Sequence, residues 1–519
     1  VLILCFHAGV TNWHYDGVAH LNIARRVLDH PQPQLKLLGT VWLPLQHLLL
    51  LPFVQNDWLW RTGLAGSLIS TLSFCVAVFF LYRLSSRFFQ DSWHSWMTVC
   101  LFALNPNILY LQTTSLGEML YLALTLSFFH FFMSFADSLR WRDLILSAIL
   151  VALASLNRYD AWLLAVISGI ILPWIGWRRG LKFSSLFGRT IVYGVLAVSG
   201  MSLWLLYNGW ALNDLTAFAK GEYATQTRIG RILVEARLSQ YPPYHNPVVA
   251  WNYYWEAVRI SAGNCLFWTG IGGFLIFLLR QIKNIHWPIW GLLFLFPPAF
   301  YIYNMYRGTG IIYTPAFPPF GILNVRYTAL FLPALCLMAP VGVQWLSDRG
   351  RKIFRNQNLL FAGSRVIRLA FLESVLGLLI LTLGIIQYGE MFLSGRNGTA
   401  YCQEACVNGW ERKQAEFQVA AYLMRHYDGK LILMDVSKHG IIPQQTGIHL
   451  IRFINETVYR FWDEGLVEPS RYVDWVIVQK DENCWKTLNN SQDLKDHFKL
   501  VFQAETPLEP AILVFRKLT

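Results

Sequence analysis

Asp16 stands in the stretch "NWHYDGVAHLNIARRVLDHP", two residues after His14 and four before His20. A carboxylate held there could take a proton from an incoming nucleophile, which is the work of a general base. The same His-x-Asp-x-x-x-His spacing could ligate a divalent metal, because imidazole nitrogens and carboxylate oxygens are both metal donors. Asp is equally a favoured helix N-cap, and the apolar residues Val18, Leu21, Ala24 and Leu28 behind it recur at helical spacing. The pattern predicts a short amphipathic helix lying along a membrane surface, with Asp16 at its head. Arg25, Arg26, Asp29 and His30 would then form its wet face and end.

Glu118, in "LQTTSLGEML", opens a later apolar run, where the helix dipole favours a carboxylate. "LNRYDAW" puts Arg158 and Asp160 beside another such junction, where leaving either charge unpaired is costly. They make either an ion pair that fixes the turn or a guanidinium aimed at phosphate, its best geometric partner. Arg326, in "ILNVRYTALFLP", opens a further apolar run, and Arg307 lies in the loop before it. Several arginines and two or three carboxylates at one membrane face suit a phosphorylated, lipid-linked substrate.

Composition says what must hold these residues. Of 519 residues, 55% are hydrophobic and 14% charged, against roughly 45–50% and about 25% in soluble domains. Apolar runs fall at roughly 60–82, 94–112, 117–136, 143–157, 161–177, 189–210, 263–280, 286–304, 324–346 and 367–388, near the ~20 residues that cross a bilayer. "VLILCFHAGV" is too short to span and reads as the outer end of one more helix. About eleven transmembrane helices are therefore expected. Alternate connections carry Arg83 and Arg87, Arg140 and Arg142, Arg178 to Arg189, Arg280 and Lys283, and the dense "DRGRKIFR". The positive-inside rule makes that side cytoplasmic. The formal net charge of +12 is thereby topology, and no nucleic-acid partner is needed to explain it.

The opposite side receives a first outer loop at about 9–58, a long loop at about 211–262 and the tail. The long loop holds Lys220, Arg228, Arg231 and Arg237, which make either a solvated helix face or a basic wall for an anionic ligand. Four of the eight cysteines (Cys5, Cys75, Cys100 and Cys336) lie in apolar segments, while Cys402 and Cys406 could pair in an oxidising compartment. In the tail, strand-length runs ("KLILMDV", "DWVIVQ", "KLVFQAE", "AILVFRKL") alternate with helical patterns, which predicts a soluble α/β domain. The expected fold is thus a mostly α, polytopic membrane domain over 1–389 and an α/β domain over 390–519. No glycine-rich phosphate loop of the GxGxxG kind is present in the tail, so no nucleotide is assigned to it.

"YDGVAHLNIARRVLDH", "LGTVWLPLQHLLLLPF", "NPNILYLQTTSLGEMLYLAL", "LNRYDAWLLA" and "NVRYTALFLPAL" occur in that order. In this they resemble bacterial integral-membrane glycosyltransferases of the GT-C superfamily, in the group related to protein O-mannosyltransferases and the lipid A aminoarabinose transferase. The resemblance implies a polyprenyl-phosphate sugar donor, an acceptor glycan, lipid or protein, and a bacterial cytoplasmic membrane with the site on its extracytoplasmic side. It implies that Asp16 occupies the place of the essential carboxylate, and that Glu118 matches the second acidic place. Arg158 and Arg326 become the candidates to neutralise the leaving phosphate, and Tyr159, Asp160, Arg307, Tyr327 and His47 complete the expected substrate-binding set. The first loop departs from paired-motif members, because Asp16 is followed by Gly17 and Val18. No cofactor is assigned beyond the alternative of a divalent metal at His14, Asp16 and His20. A lipid or glycan transporter, or a non-catalytic subunit of a membrane complex, are the competing classes. A transporter would place charges at mid-membrane and carry broken or repeated helices.

Overall fold

The computed structural model describes residues 1–39, 41–89, 92–220, 233, 239–283, 293–356, 362–394, 398–457 and 459–518. Apolar composition and length set the scaffold. Five described helices are long and apolar enough to cross a membrane: Leu64–Phe88, Glu118–Ser138, Asp160–Arg178, Phe183–Leu212 and Ser374–Leu393. Pro247–Ala262 and Asn264–Arg280 make a sixth if taken as one span, bent by 118°. Glu118–Ser138 is the central helix, since 78% of its apolar window is buried against 22% for Phe183–Leu212.

The expectation of about eleven spans counted runs that fold as shorter or broken helices. Trp141–Ser155 has 15 residues, about 22 Å of helix against a hydrocarbon core of about 30 Å. The 94–112 run divides into Ser92–Ala103 and Pro106–Leu111, with Asn105 capping the second piece by accepting from the Asn107 N–H at 2.9 Å. The 324–346 run opens as a 3-10 turn, Val325–Leu330, before the helix Leu332–Asn356. The 286–304 run and the basic residues Arg228, Arg231 and Arg237 lie wholly or partly outside the described residues. Lys220 is described; it is exposed and 3.4 Å from Asp214 Oδ2.

The tail forms one five-stranded mixed sheet in the order β2-β1-β3-β5-β4. The strands are β1 (Ile432–Leu433), β2 (Phe453–Ile454), β3 (Trp475–Gln479), β4 (Phe498–Ala504) and β5 (Ile512–Lys517). β1 is parallel to β2 and β3, while β5 is antiparallel to β3 and β4. All five residues of β3 are buried, as expected for a central strand covered on both faces. β2 has no counterpart in the sequence reading, because two apolar residues within "HLIRFINE" show no alternation.

The first outer loop is not a free surface helix. Leu21 and Ala24 of the Tyr15–Leu28 helix, with Leu50, Val54 and Trp60, share one apolar cluster with Val419, Leu423, Ile432, Met434, Trp475 and Ile477. Arg25, expected on a wet face, is buried. It donates to Asp29 at 3.2 Å, to Asp57 at 2.7 Å and to the Gln55 carbonyl at 3.1 Å, and stacks over Trp60. A buried guanidinium is tolerated only when its donors are satisfied in this way. Asp29 in turn accepts from the Leu450 N–H at 2.8 Å. The apolar face of this helix is covered by Leu45–Val54 and, beyond it, by the tail.

Candidate functional site

Packing of the membrane helices places the turn that carries Glu118. Ser67 and Ser70 of Leu64–Phe88 donate to the Thr113 and Thr114 carbonyls at 2.6 and 2.7 Å, and Gln46 donates to the Ser115 carbonyl. A Cβ on Gly66 would lie 2.4 Å from Ser115 Cβ and 2.5 Å from its Cα, so only glycine admits the turn this closely. Asn157 then donates to the Gly117 carbonyl at 2.9 Å. This bond ties the Glu118 turn to the junction holding Arg158 and Asp160.

Three sequence-distant segments bond to Arg326 directly, and two more join through Glu118. Arg326 Nη2 donates to Asp16 and its Nη1 to Glu404. Nε donates to Glu118 Oε1 at 3.2 Å, and Nη1 also to His14 Nε2 at 2.8 Å. Glu118 Oε1 bridges to the second guanidinium, accepting from Arg158 Nη1 at 2.9 Å. Arg158 Nη2 donates to Tyr301 Oη at 2.7 Å, Tyr301 donates to Asp160 Oδ2 at 2.9 Å, and Arg158 Nε lies 3.5 Å from Asp160 Oδ1. Tyr327 lies against both cations, 4.8 Å from Arg158 Cζ and 5.1 Å from Arg326 Cζ, and stacks on Tyr301. Asp16, Glu118, Arg158, Asp160, Arg326 and Tyr327 are thus one constellation.

Exposure separates their roles. The Asp16 side chain is 28% exposed, against 3% for Glu118 and 1% each for Asp160 and Glu404. Arg158 is 17% exposed and Arg326 is 4% exposed. One carboxylate and one guanidinium therefore open outward, and the others brace them. Burial is the largest influence on Glu404 and opposes its ionisation, yet Arg326 and His14 together outweigh it and hold the carboxyl below its usual range.

Four expected residues sit elsewhere. His20 Nδ1 lies 2.8 Å from His47 Nε2, so these two pair with each other. Burial, working against the nearby Asp16 and Glu118 charges, lowers the His20 pKa to about 4. Tyr159 donates to the Val41 carbonyl at 2.9 Å and braces the first loop. Arg307 ends the helix Phe296–Arg307, is exposed, and makes none of the ion pairs of the cluster. The three residues of the metal alternative are turned to other partners. His14 faces Arg326 and Glu404, His20 faces His47, and Asp16 is occupied by a guanidinium. Among the described residues no group of three or more His, Cys, Asp or Glu is placed to hold a metal ion.

Asp16 is not the helix N-cap either: the helix begins at Tyr15, His14 is the cap residue and Asp16 lies in the first turn. Glu404 and Tyr301 were missed by sequence reasoning. Glu404 stands in "AYCQEACVNGW" between Cys402 and Cys406, which are not joined by a disulfide; the uncompensated Arg326 was the only hint of a partner. Tyr301 is one of 23 tyrosines and carries no signal.

Fold and site together define a multi-pass helical membrane protein with a buried carboxylate–guanidinium cluster where the bundle meets a mixed α/β domain. Residues 61–204 match the family model described as dolichyl-phosphate-mannose-protein mannosyltransferase. The chain is similar in fold to the crystal structure of ArnT from Cupriavidus metallidurans in the apo state, with a TM-score of 0.50 and 12% identity over 99% of this chain and 96% of that one. No curated protein matches it in sequence. Both findings agree with the GT-C resemblance of the motifs. The family match contains Glu118, Arg158 and Asp160, while Asp16, Arg326 and Glu404 lie outside it.

Proposed function

We propose that the chain is a membrane glycosyltransferase that moves a sugar from a polyprenyl-phosphate donor to an acceptor hydroxyl, with inversion, and that Asp16 is the base. The observation that carries this is the exposure pattern: Asp16 is the one carboxylate of the cluster open to an incoming group, and it is held by a buried guanidinium. The family description names a lipid-phosphate-linked sugar as donor, which supports the same donor class here.

In the reaction, the acceptor oxygen attacks the sugar carbon from the face opposite the phosphate. Its proton passes to Asp16 as the new carbon–oxygen bond forms. The bond from that carbon to the phosphate oxygen breaks, and the phosphate leaves with the electron pair. Arg158, whose terminal nitrogens each keep a second N–H beyond the bonds to Glu118 and Tyr301, is placed to meet that charge. Arg326 fixes Asp16 rather than the donor. The site faces the extracytoplasmic side in this reading, and the tail from 390 onward forms the outer domain.

The test uses the lipid-phosphate extract of source cells lacking the protein, in which the unused donor accumulates, together with the envelope fraction of the same cells as the source of unmodified acceptor. The purified full chain in vesicles should release polyprenyl phosphate from that extract, and Asp16→Asn should lower the rate by about 10²–10⁴-fold. Full activity in Asp16→Asn refutes the assignment of the base; no release by the wild type refutes the transferase reading.

A further inference from the structure

Glu404 takes no part in the transfer steps above, yet it is among the most enclosed charges in the cluster. It lies in the short helix Ala400–Ala405, between the last membrane helix and the sheet domain. One of its oxygens meets Arg326 Nη1 and lies 3.4 Å from His14 Nε2; the other accepts from the Arg326 backbone N–H at 3.4 Å. A single carboxylate therefore holds both the root and the tip of the arginine. Each guanidinium nitrogen then has its own acid: Nη1 has Glu404, Nη2 has Asp16 and Nε has Glu118. Because the guanidinium is a rigid plane, fixing the Nη1 and Nε edges dictates where Nη2 points.

The helix carrying Glu404 is itself tied down. The Tyr401 N–H donates to Asn107 Oδ1 at 2.9 Å, while Asn107 Nδ2 donates to the Ser261 carbonyl at 2.9 Å. Thr328, two residues beyond Arg326, donates to Ser261 Oγ at 2.8 Å. The following segment grips the other side of the site. A Cβ on Gly409 would lie 1.8 Å from the Trp13 carbonyl oxygen, and Trp410 stacks on Trp13. Tyr15 donates to the Lys438 carbonyl at 2.6 Å, and Asn22 donates to the Gly440 carbonyl at 2.8 Å. Residues before and after Asp16 are thus anchored by the chain beyond the last membrane helix.

We infer that Glu404 is a positioning residue of the transfer reaction: by holding Arg326 from behind, it sets the Arg326 Nη2 edge against Asp16. It carries no proton and touches no substrate in this role. The tail is then part of the catalytic unit and supplies a member that the membrane helices lack. This rests on the reading of Asp16 as base.

Glu404→Gln keeps the side chain's size and one acceptor oxygen but removes the charge. Glu404→Asp keeps the charge and withdraws it by one methylene. Both are measured as the full chain in vesicles on the lipid-phosphate extract described above, with kcat and KM normalised to the folded fraction. Glu404→Gln is expected to lower kcat about 100-fold with KM within about threefold, and Glu404→Asp to lower it about tenfold, because small misplacements of catalytic groups cost rate rather than binding. A merely structural role would reduce the folded fraction and leave kcat per folded molecule within about twofold. That result, or a loss confined to KM, overturns the inference. Should Glu404→Gln fail to fold, Glu404→Asp decides by the same criterion. Asp16→Asn is run alongside: if it stays active, the reading of the base fails. If it is inactive while both Glu404 variants match the wild type, only the role of Glu404 fails.

Discussion

At the scale of single residues, the site is a problem in pairing buried charge. Asp16, Glu118, Asp160 and Glu404 face Arg158 and Arg326, and most of these groups are shielded from water. Removing one partner of a buried pair leaves the other uncompensated, at about 3–5 kcal/mol. Arg326 serves three carboxylates at once, so its planarity matters as much as its charge. Arg326→Lys keeps the charge as a point and cannot reach Asp16, Glu118 and Glu404 together. It should lower kcat by at least about 10²-fold, read by the same release of polyprenyl phosphate, and lower the melting temperature in detergent. Arg158→Lys should chiefly raise KM for the donor, because Arg158 is the more open guanidinium and in the proposed reaction it meets the phosphate. A rise in KM for Arg326→Lys with kcat unchanged would reverse the two roles.

At the scale of elements, the site exists because short turns are pressed against long helices. The close approach of Gly66 to Ser115 and the serine bonds to the Thr113 and Thr114 carbonyls set the Glu118 turn. Gly66→Ala puts a methyl where Ser115 already is, and overpacking of this kind costs about 1–3 kcal/mol. The turn must shift, carrying Glu118 from both arginines. The expected outcome is a lower melting temperature together with a kcat loss of about tenfold or more; an unchanged kcat would show that the turn can relax without moving Glu118. Much of this level was legible in sequence. Glu118 and Arg158 opened apolar runs, Asp16 headed a helical pattern, and Arg326 stood at a helix entry. Periodicity and charge at helix ends are local signals, and they found these residues. Which turns touch is non-local: nothing in "LNRYDAW" says that Asn157 meets Gly117, and nothing in "YCQEAC" says that Glu404 meets Arg326. His20 and His47 show the opposite failure, since suggestive residue types near Asp16 were turned toward each other by packing.

At the scale of the whole molecule, the tail is built into the membrane part through a shared apolar cluster and a second buried ionic centre. The amphipathic reading of the Tyr15–Leu28 helix was right about its periodicity and wrong about its partner, because periodicity reports a buried face without naming what covers it. His439 marks the ionic centre. Its Nε2 lies 2.6 Å from Glu482 and its Nδ1 3.7 Å from Glu416, all three buried. Nearby, the Gly440 N–H donates to Tyr15 Oη at 3.3 Å, so the centre sits behind the contact that holds the residue next to Asp16. Burial alone would discharge the imidazole, but the Glu482 and Glu416 carboxylates prevail and raise its pKa to about 10. A group whose folded pKa is raised stabilises the fold fully below its unfolded value near 6.5, and this stabilisation is lost as pH climbs to about 10. His439→Gln removes the cation that Glu482 and Glu416 share, leaving Lys413, 3.2 Å from Glu416, to serve that carboxylate alone, and should cost about 3–5 kcal/mol at pH 6. The gap in melting temperature between wild type and variant should be widest at pH 6 and narrow steadily toward pH 10, where the wild-type imidazole is itself losing its proton. A gap independent of pH would mean that His439 acts through packing rather than charge.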